Sequence, residues 1–267
     1  MALADDWPSE DPALAATVAD WPVVLITGAS TGIGLELLTA LWQRPYRIVA
    51  TARRDSLPRL AAAGFTDGPR LLIRPLDLAH FGEHRAVVAE VLARWGRCDV
   101  LVNNAGIAYR AVVEHMTPAD EYRQMVTNYL GPLNLIRLLL PGMRRRRSGH
   151  IINVSSVSGM MAMPTMAAYS ASKFALEGAS EALWYEMRPW QVRVTLIEPG
   201  FINSTAFQKV YRTPGTGDLG SPYAPHYRHM ARLVDWLMTR TWATPESCAP
   251  SRRNVRQTVA CSVCSRL

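Results

Sequence analysis

Val23-Val24-Leu25-Ile26-Thr27-Gly28-Ala29-Ser30-Thr31-Gly32-Ile33-Gly34 begins as a short apolar run and ends in a glycine-rich turn. Beyond it Ile33, Leu37, Leu38 and Leu41 recur at helical spacing, so the segment reads as strand, turn, helix. Gly28, Gly32 and Gly34 permit a tight turn and close backbone approach, while the start of the following helix offers amide donors and positive potential. That is the chemistry a pyrophosphate needs, and Ser30, Thr31 and Ile33 lie in the same turn. Glycines also cap elements for purely structural reasons, so the turn takes its meaning from its surroundings.

Outward from this turn the pattern repeats. Residues 47–52, 71–76, 99–102, 150–154 and 192–197 read as further strands, and 80–95, 118–140 and 169–187 as helices between them. The strands are apolar throughout rather than alternating, which predicts burial on both faces: an α/β fold, one doubly wound parallel-sheet Rossmann domain with helices on both sides. A length of 267 residues suits a single domain of this class, spanning 22–246. The leader 1–21 is expected to be disordered. A Gly/Pro/Tyr-rich excursion at about 201–225 is expected to form the substrate loop, ahead of a helix at about 226–240. Thr244-Pro245-Glu246 reads as another helix start. Residues 247–267 form an atypical tail, turning to Ser, Arg and Cys with one β-like piece at 258–263.

A dinucleotide site places a discriminating residue at the end of its second strand, beside the adenosine ribose. Ala52-Arg53-Arg54 occupies that position here. An Asp would accept from the 2′-hydroxyl and repel a 2′-phosphate, whereas a small residue followed by arginine admits the phosphate and pairs with it. The expected cofactor is therefore NADP(H), with NAD(H) as the lesser alternative, at a discrimination of about 10- to 150-fold for a charge-assisted bond. The competing reading is that Arg53 and Arg54 are ordinary surface residues. Thr31 is not basic, so a second phosphate partner is missing from the turn.

Tyr169-Ser170-Ala171-Ser172-Lys173 opens a predicted helix, and its i, i+4 spacing stacks Tyr169 and Lys173 on one face. A phenol is a poor base near neutrality, but a cation at about 4 Å and an effective dielectric near 20 contributes about 4 kcal/mol, or about three pK units. Tyr169 is thus expected to exchange a proton at neutral pH. Only Lys173 and Lys209 among the 29 basic residues are lysines, so this lysine is not background.

With these residues in place, the sequence over roughly 22–205 resembles the short-chain dehydrogenase/reductase family. The resemblance rests on Gly28, Gly32 and Gly34, on Asp77-Leu78, on Asn103-Asn104-Ala105-Gly106, on Asn128, on Asn153-Val154-Ser155-Ser156, on Tyr169 with Lys173, and on Pro199-Gly200. Lys173-Phe174-Ala175-Leu176-Glu177-Gly178 is most similar to the branch of 17β-hydroxysteroid and retinol dehydrogenases. The resemblance implies a catalytic set of Asn128, Ser156, Tyr169 and Lys173. Tyr169 would be the general acid or base, and Lys173 would assist it and hold the nicotinamide ribose. Ser156 would hydrogen-bond the substrate oxygen, and Asn128 would hold a water that relays protons to Lys173. Asp77 and Leu78 would border the adenine, Asn104, Ala105 and Gly106 would pass the adenosine side, and Pro199, Gly200, Ile202 and Ser204 would frame the nicotinamide. A homodimer or homotetramer through the helices after Pro118 and Tyr169 is implied as well.

The expected substrate wall comprises Met160, Met161, Met163, Met166, Phe201, Phe207 and Tyr211, with Ser156 at its polar end. Methionine fills irregular space, so a bulky apolar alcohol, ketone or aldehyde is expected, steroid-, retinoid-, fatty- or polyketide-like. The rival is a catalytically impaired NADP(H)-binding regulatory or scaffold protein.

Composition sets the outer bounds. A hydrophobic fraction of 49 %, a charged fraction of 19 % and a mean hydropathy near zero exclude a disordered or fibrous chain. No apolar run reaches membrane-spanning length and no basic start precedes one, so a cytoplasmic protein without a membrane span is expected. Of the net charge of +7, residues 240–267 carry +4 (Arg240, Arg252, Arg253, Arg256 and Arg266 against Glu246), leaving a nearly neutral body. Arg144 to Arg147 follow an apolar helix, where cations complement its dipole, so no nucleic-acid partner is expected. Cys98 stands apart from Cys248, Cys261 and Cys264, which argues against both a disulfide framework and a metal site.

Overall fold

The computed structural model describes residues 18–202 and 210–241. Six strands form one parallel sheet: β1 Val23–Thr27, β2 Arg47–Ala52, β3 Leu71–Pro75, β4 Val100–Asn103, β5 Gly149–Val154 and β6 Val192–Ile197. Around it lie α1 Gly32–Trp42, α2 Pro58–Ala62, α3 Phe81–Trp95, α4 Pro118–Met125, α5 Gly131–Arg146, α6 Ala167–Met187 and α7 Ala224–Met238. Thr244-Pro245-Glu246 and the tail lie outside the described residues, as do Ser204 and Phe207. Residues 18–21, the end of the expected leader, are anchored, with the Trp21 carbonyl accepting from Arg47 Nε at 2.9 Å.

Apolar strands become doubly buried because successive side chains point to opposite faces. Val23 and Leu25 of β1 join Val87, Val91, Leu135, Leu139 and Met143 from α3 and α5, along with Leu183 of α6. Val24 and Ile26 join Leu38 and Leu41 of α1 and Leu60 of α2 on the opposite side. These are the two hydrophobic layers of a Rossmann fold, and truncating a fully buried residue such as Leu25 to Ala costs about 2–5 kcal/mol.

Strand order β3-β2-β1-β4-β5-β6 reverses direction between β1 and β4. A crevice opens at such a switch point beyond the carboxyl ends of the strands, and the glycine turn and Asn103–Gly106 segment both emerge there. The helix expected over 118–140 is broken by a π turn at Val126–Leu130. Gly131 packs so closely on Leu78 that a Cβ would stand 2.7 Å from the Leu78 carbonyl oxygen, and the widened turn lets Asn128 face inward. At the end of α5 the arginines serve the fold: Arg146 donates to the Cys98 carbonyl and Arg147 to that of Pro189, both at 2.8 Å.

Candidate functional site

The glycine turn is built from both strands flanking the crevice. Gly28 and Gly32 take φ of 68° and 57°, left-handed values that favour glycine. A Cβ at Gly34 would stand 2.2 Å from the Gly28 carbonyl oxygen, so the start of α1 lies against the turn itself. Asn104 ties the turn to β4, its Nδ2 donating to the carbonyls of Thr27 at 2.8 Å and Gly28 at 3.1 Å. The Thr27 hydroxyl accepts from the amides of Asn104 and Ala105 at 2.9 and 3.0 Å. Asn104 therefore shapes the turn as well as bordering the cleft. Thr31 is the N-cap of α1 but makes no side-chain cap bond, which leaves the helix start open to an anion.

A cleft of about 530 Å³ is lined by this turn, by Arg53, Asp77, Leu78, Asn104, Ala105 and Gly106, and by Ser156, Tyr169, Lys173, Pro199, Gly200 and Ile202. Ser30, Thr31, Gly32 and Ile33 face it, whereas Gly34 packs behind it as a spacer. The fit to an adenine dinucleotide rests on the close-packed glycine turn, the uncapped helix start and a guanidinium at the far end.

The two arginines after β2, both expected to serve the cofactor, diverge. Arg53 lines the cleft and donates through Nη1 to the Tyr211 hydroxyl at 3.1 Å. Arg54 enters the short helical turn Arg54–Ser56, points to solvent with 77 % of its side chain exposed, and meets Glu83 at 3.8 Å. Successive residues leaving a strand face opposite ways, so the two guanidinium groups depart β2 on different sides.

Ser156, Tyr169 and Lys173 converge where the cleft passes from β5 to α6. The Ser156 hydroxyl caps the turn Val157–Gly159, accepting from the Ser158 amide at 3.2 Å. Lys173 is buried and donates Nζ to the Val154 carbonyl at 2.8 Å, and burial pulls its ammonium down to about 8. Nζ lies 5.8 Å from the centroid of the Tyr169 ring. The sequence led us to expect a depressed phenol, but burial pushes Tyr169 above its usual range, opposed only by a hydrogen bond with Ser156. The physical reason is that Lys173 is directed to Val154 while the phenol sits in a desolvated wall.

Asn128 is positioned by the π turn. Its Oδ1 accepts from the Ile107 amide at 2.9 Å, and Nδ2 donates to the Ile107 carbonyl at 2.9 Å and the Ser172 hydroxyl at 3.0 Å. Both amide hydrogens are thus engaged, so the side chain organises the loop after β4 and the start of α6. Ser172 passes the link on to the Tyr169 carbonyl at 2.7 Å.

At the substrate end Met163, Met166 and Phe201 line the cleft as expected. Met160 and Met161 do not, being 53 % and 60 % exposed because the chain turns outward after Gly159. Sequence reasoning missed Met230 and Val234 of α7, which complete the apolar wall. Their i, i+4 spacing was the available signal, but nothing local shows that α7 packs on the loop after β4, where the Tyr227 hydroxyl accepts from the Val112 amide at 2.9 Å. Among the described residues no helix is long and apolar enough to cross a membrane, and no cluster of ligands could hold a metal ion.

A doubly wound sheet with this glycine turn and a Ser/Tyr/Lys convergence defines a nucleotide-linked oxidoreductase fold. Residues 22–215 match the family model of the short chain dehydrogenases, and the chain belongs to that family. It is 37 % identical over 182 residues to a 3-ketodihydrosphingosine reductase of Bacteroides thetaiotaomicron, covering 68 % of this chain and 64 % of the relative. It is 39 % identical over 184 residues to human retinol dehydrogenase 8, covering 66 % of this chain and 58 % of that protein. The chain spans about three fifths of the length of these curated relatives. Among solved structures, a short-chain dehydrogenase from Streptomyces avermitilis superposes with a TM-score of 0.72 at 36 % identity, covering 80 % of this chain and 79 % of that one. A metagenomic short-chain oxidoreductase in complex with NADP gives a TM-score of 0.60 at 38 % identity, covering 67 % and 82 %.

Proposed function

We propose that this chain is an NADP(H)-dependent oxidoreductase that transfers a hydride between the nicotinamide and the carbonyl or carbinol carbon of a bulky apolar substrate. The observation that carries this reading is the convergence of Ser156, Tyr169 and Lys173 at the point where a polar, glycine-lined groove meets an apolar wall. The glycine turn, Asp77, Leu78 and Asn104 to Gly106 would hold the adenosine and pyrophosphate, and Lys173, Pro199, Gly200 and Ile202 the nicotinamide half. When bound, the nicotinamide supplies or accepts the hydride.

The chain's own residues manage the proton. In reduction the Ser156 hydroxyl donates to the substrate oxygen and stabilises the charge that develops there. The Tyr169 hydroxyl delivers its proton to that oxygen, leaving a phenolate. Burial keeps Tyr169 protonated at rest and also makes it a weaker acid, so release of its proton depends on prompt reprotonation of the phenolate by Lys173. Lys173, brought down to about 8, can pass a proton to the phenolate near neutral pH, and oxidation runs the same steps backwards. The names of the relatives, a ketosphingosine reductase and a retinol dehydrogenase, accord with an apolar substrate, as do Met163, Met166, Met230 and Val234. The exposed Tyr122 on α4 and Phe174 on α6 support self-association through those helices.

The test is nicotinamide turnover by the purified chain with NADPH and a panel of long-chain, isoprenoid and steroid carbonyls beside charged keto acids, with Tyr169→Phe as control. Turnover of apolar carbonyls alone, lost in the variant, is the expected result. Turnover of only charged carbonyls overturns the substrate class. Tight NADPH binding without turnover of any carbonyl marks a cofactor-sensing protein instead.

A further inference from the structure

Tyr211, expected from the sequence to line the substrate pocket, is held at the opposite end of the cleft. Its amide donates to the Ala108 carbonyl at 2.8 Å and its carbonyl accepts from the Arg110 amide at 2.9 Å, so the segment runs parallel to the loop leaving β4. The ring stacks on Tyr109 with centroids 5.1 Å apart and planes 27° from parallel, and the Arg123 guanidinium lies 5.2 Å from its centroid. Backbone pairing, stacking and a cation thus fix the ring before any ligand arrives. Its hydroxyl accepts from Arg53 Nη1 at 3.1 Å.

A hydroxyl that accepts from a guanidinium keeps its own hydrogen to give. Among the described residues Arg53 forms an ion pair with Asp55 at 3.7 Å and feels the charge of Asp77, neither of which takes up a hydrogen-bond donor, so most of its fork of donors remains available. The pair therefore presents an O–H and several N–H groups side by side, the arrangement that receives a phosphate. The glycine turn offers no basic residue for that purpose, since its variable position is Thr31.

We infer that Tyr211 is a specificity-determining residue of the cofactor site: its hydroxyl donates to the ribose 2′-phosphate while holding Arg53 against the same group. The inference rests on the proposed preference for NADP(H). It makes the middle of the expected substrate loop, at Tyr211, part of the adenosine subsite rather than part of the substrate wall.

Tyr211→Phe keeps the stack and removes only the hydroxyl, so the full chain carrying it is compared with the parent by fluorescence titration with NADPH and NADH. Competition by adenosine 2′,5′-bisphosphate and by 5′-AMP is measured beside it. The expected result is an NADPH Kd raised about tenfold, with the bisphosphate weakened in parallel, while NADH and 5′-AMP bind as before. Unchanged NADPH binding, or equal losses for NADPH and NADH, overturns the inference, as does a change confined to the KM of the carbonyl. Arg53→Ala separates the two levels. If it weakens NADPH selectively and Tyr211→Phe does not, the cofactor reading stands and the role of Tyr211 falls; if neither variant alters the ratio of NADPH to NADH affinity, the NADP(H) reading itself falls. Unaltered NADH binding by Tyr211→Phe serves as the folding control.

Discussion

Lys173 donates Nζ to the carbonyl oxygen of Val154 at 2.8 Å, which ties the lysine of α6 to the last residue of β5 and brings a cation into a buried wall. Burial lowers its pKa from 10.5 to about 8, so the folded chain binds this proton less tightly than the unfolded chain does. The contribution to stability is present in full above 10.5, declines as pH falls through the interval, and is lost below about 8. Lys173→Met, which cannot titrate, should therefore lose ground to the parent by about 3 kcal/mol as pH rises from 8 to 10.5. Denaturant midpoints at several pH values measure this, and a pH-independent difference would count against the buried cation. Activity should fall by about 10²- to 10⁴-fold.

Tyr169 carries a complementary expectation. Because burial raises its pKa, with Ser156 opposing and Lys173 turned to Val154, the phenol stays protonated through the neutral range in the cofactor-free chain. Ultraviolet difference titration of the parent against Tyr169→Phe should show no phenolate signal at neutral pH. A signal there would restore the strong tyrosine–lysine coupling that the i, i+4 spacing suggested.

Gly34→Ala tests the cradle. A Cβ at 2.2 Å from the Gly28 carbonyl and 2.6 Å from Asn104 Nδ2 cannot be accommodated without moving backbone. The expected outcome is loss of NADPH binding with about 3 kcal/mol or more of stability. Thermal melting together with cofactor titration distinguishes this from loss of a ligand contact alone, since Gly34 packs behind the cleft.

Most of what was legible in the sequence is local. The apolar run 23–27 and the run 47–52 coincide with β1 and β2 because hydrophobic runs bounded by turn residues have one reading in a covered parallel sheet. Tyr169 and Lys173 share the start of α6 for the same reason of spacing. What was not legible depends on distant chain. The π turn at Val126–Leu130 adjoins the close approach of Gly131 to Leu78, and the partner of Arg53 arrives from Tyr211, 158 positions along the chain. Thr165 takes a φ of 60°, a left-handed value that disfavours a β-branched residue and that only surrounding packing can impose.

Arg53 and Arg54 were indistinguishable as letters, and the fold separates them. Arg54→Ala, at a residue exposed and loosely paired with Glu83, should change NADPH affinity by less than about twofold. Arg53→Ala should weaken it by about 10-fold or more. Equal effects in parallel titrations would mean that both side chains reach the cofactor.

Glu177 sits one helical turn beyond Lys173, and its carboxyl crowds Gly159, where a Cβ would stand 2.9 Å from Oε1 and 2.8 Å from Ser155 Oγ. Burial raises its pKa from 4.5 to about 6; Ser155 and Lys173 pull it down, while Glu198 pushes it up. The folded chain holds this proton more tightly than the unfolded one, so the associated stability is present below 4.5 and lost as pH rises through about 6. Glu177→Gln keeps the shape and removes the charge. It should gain on the parent between those values and stay about 1 kcal/mol more stable above them, a figure discounted for partial solvent access. Urea midpoints at pH 4.5, 6 and 7.5 read the difference, which must grow and then level off; a constant offset would place the carboxylate in water. Because Glu177, on the helix that carries Lys173, packs against the turn that follows Ser156, the same variant should displace the acidic limb of the pH–rate profile while leaving cofactor affinity unchanged.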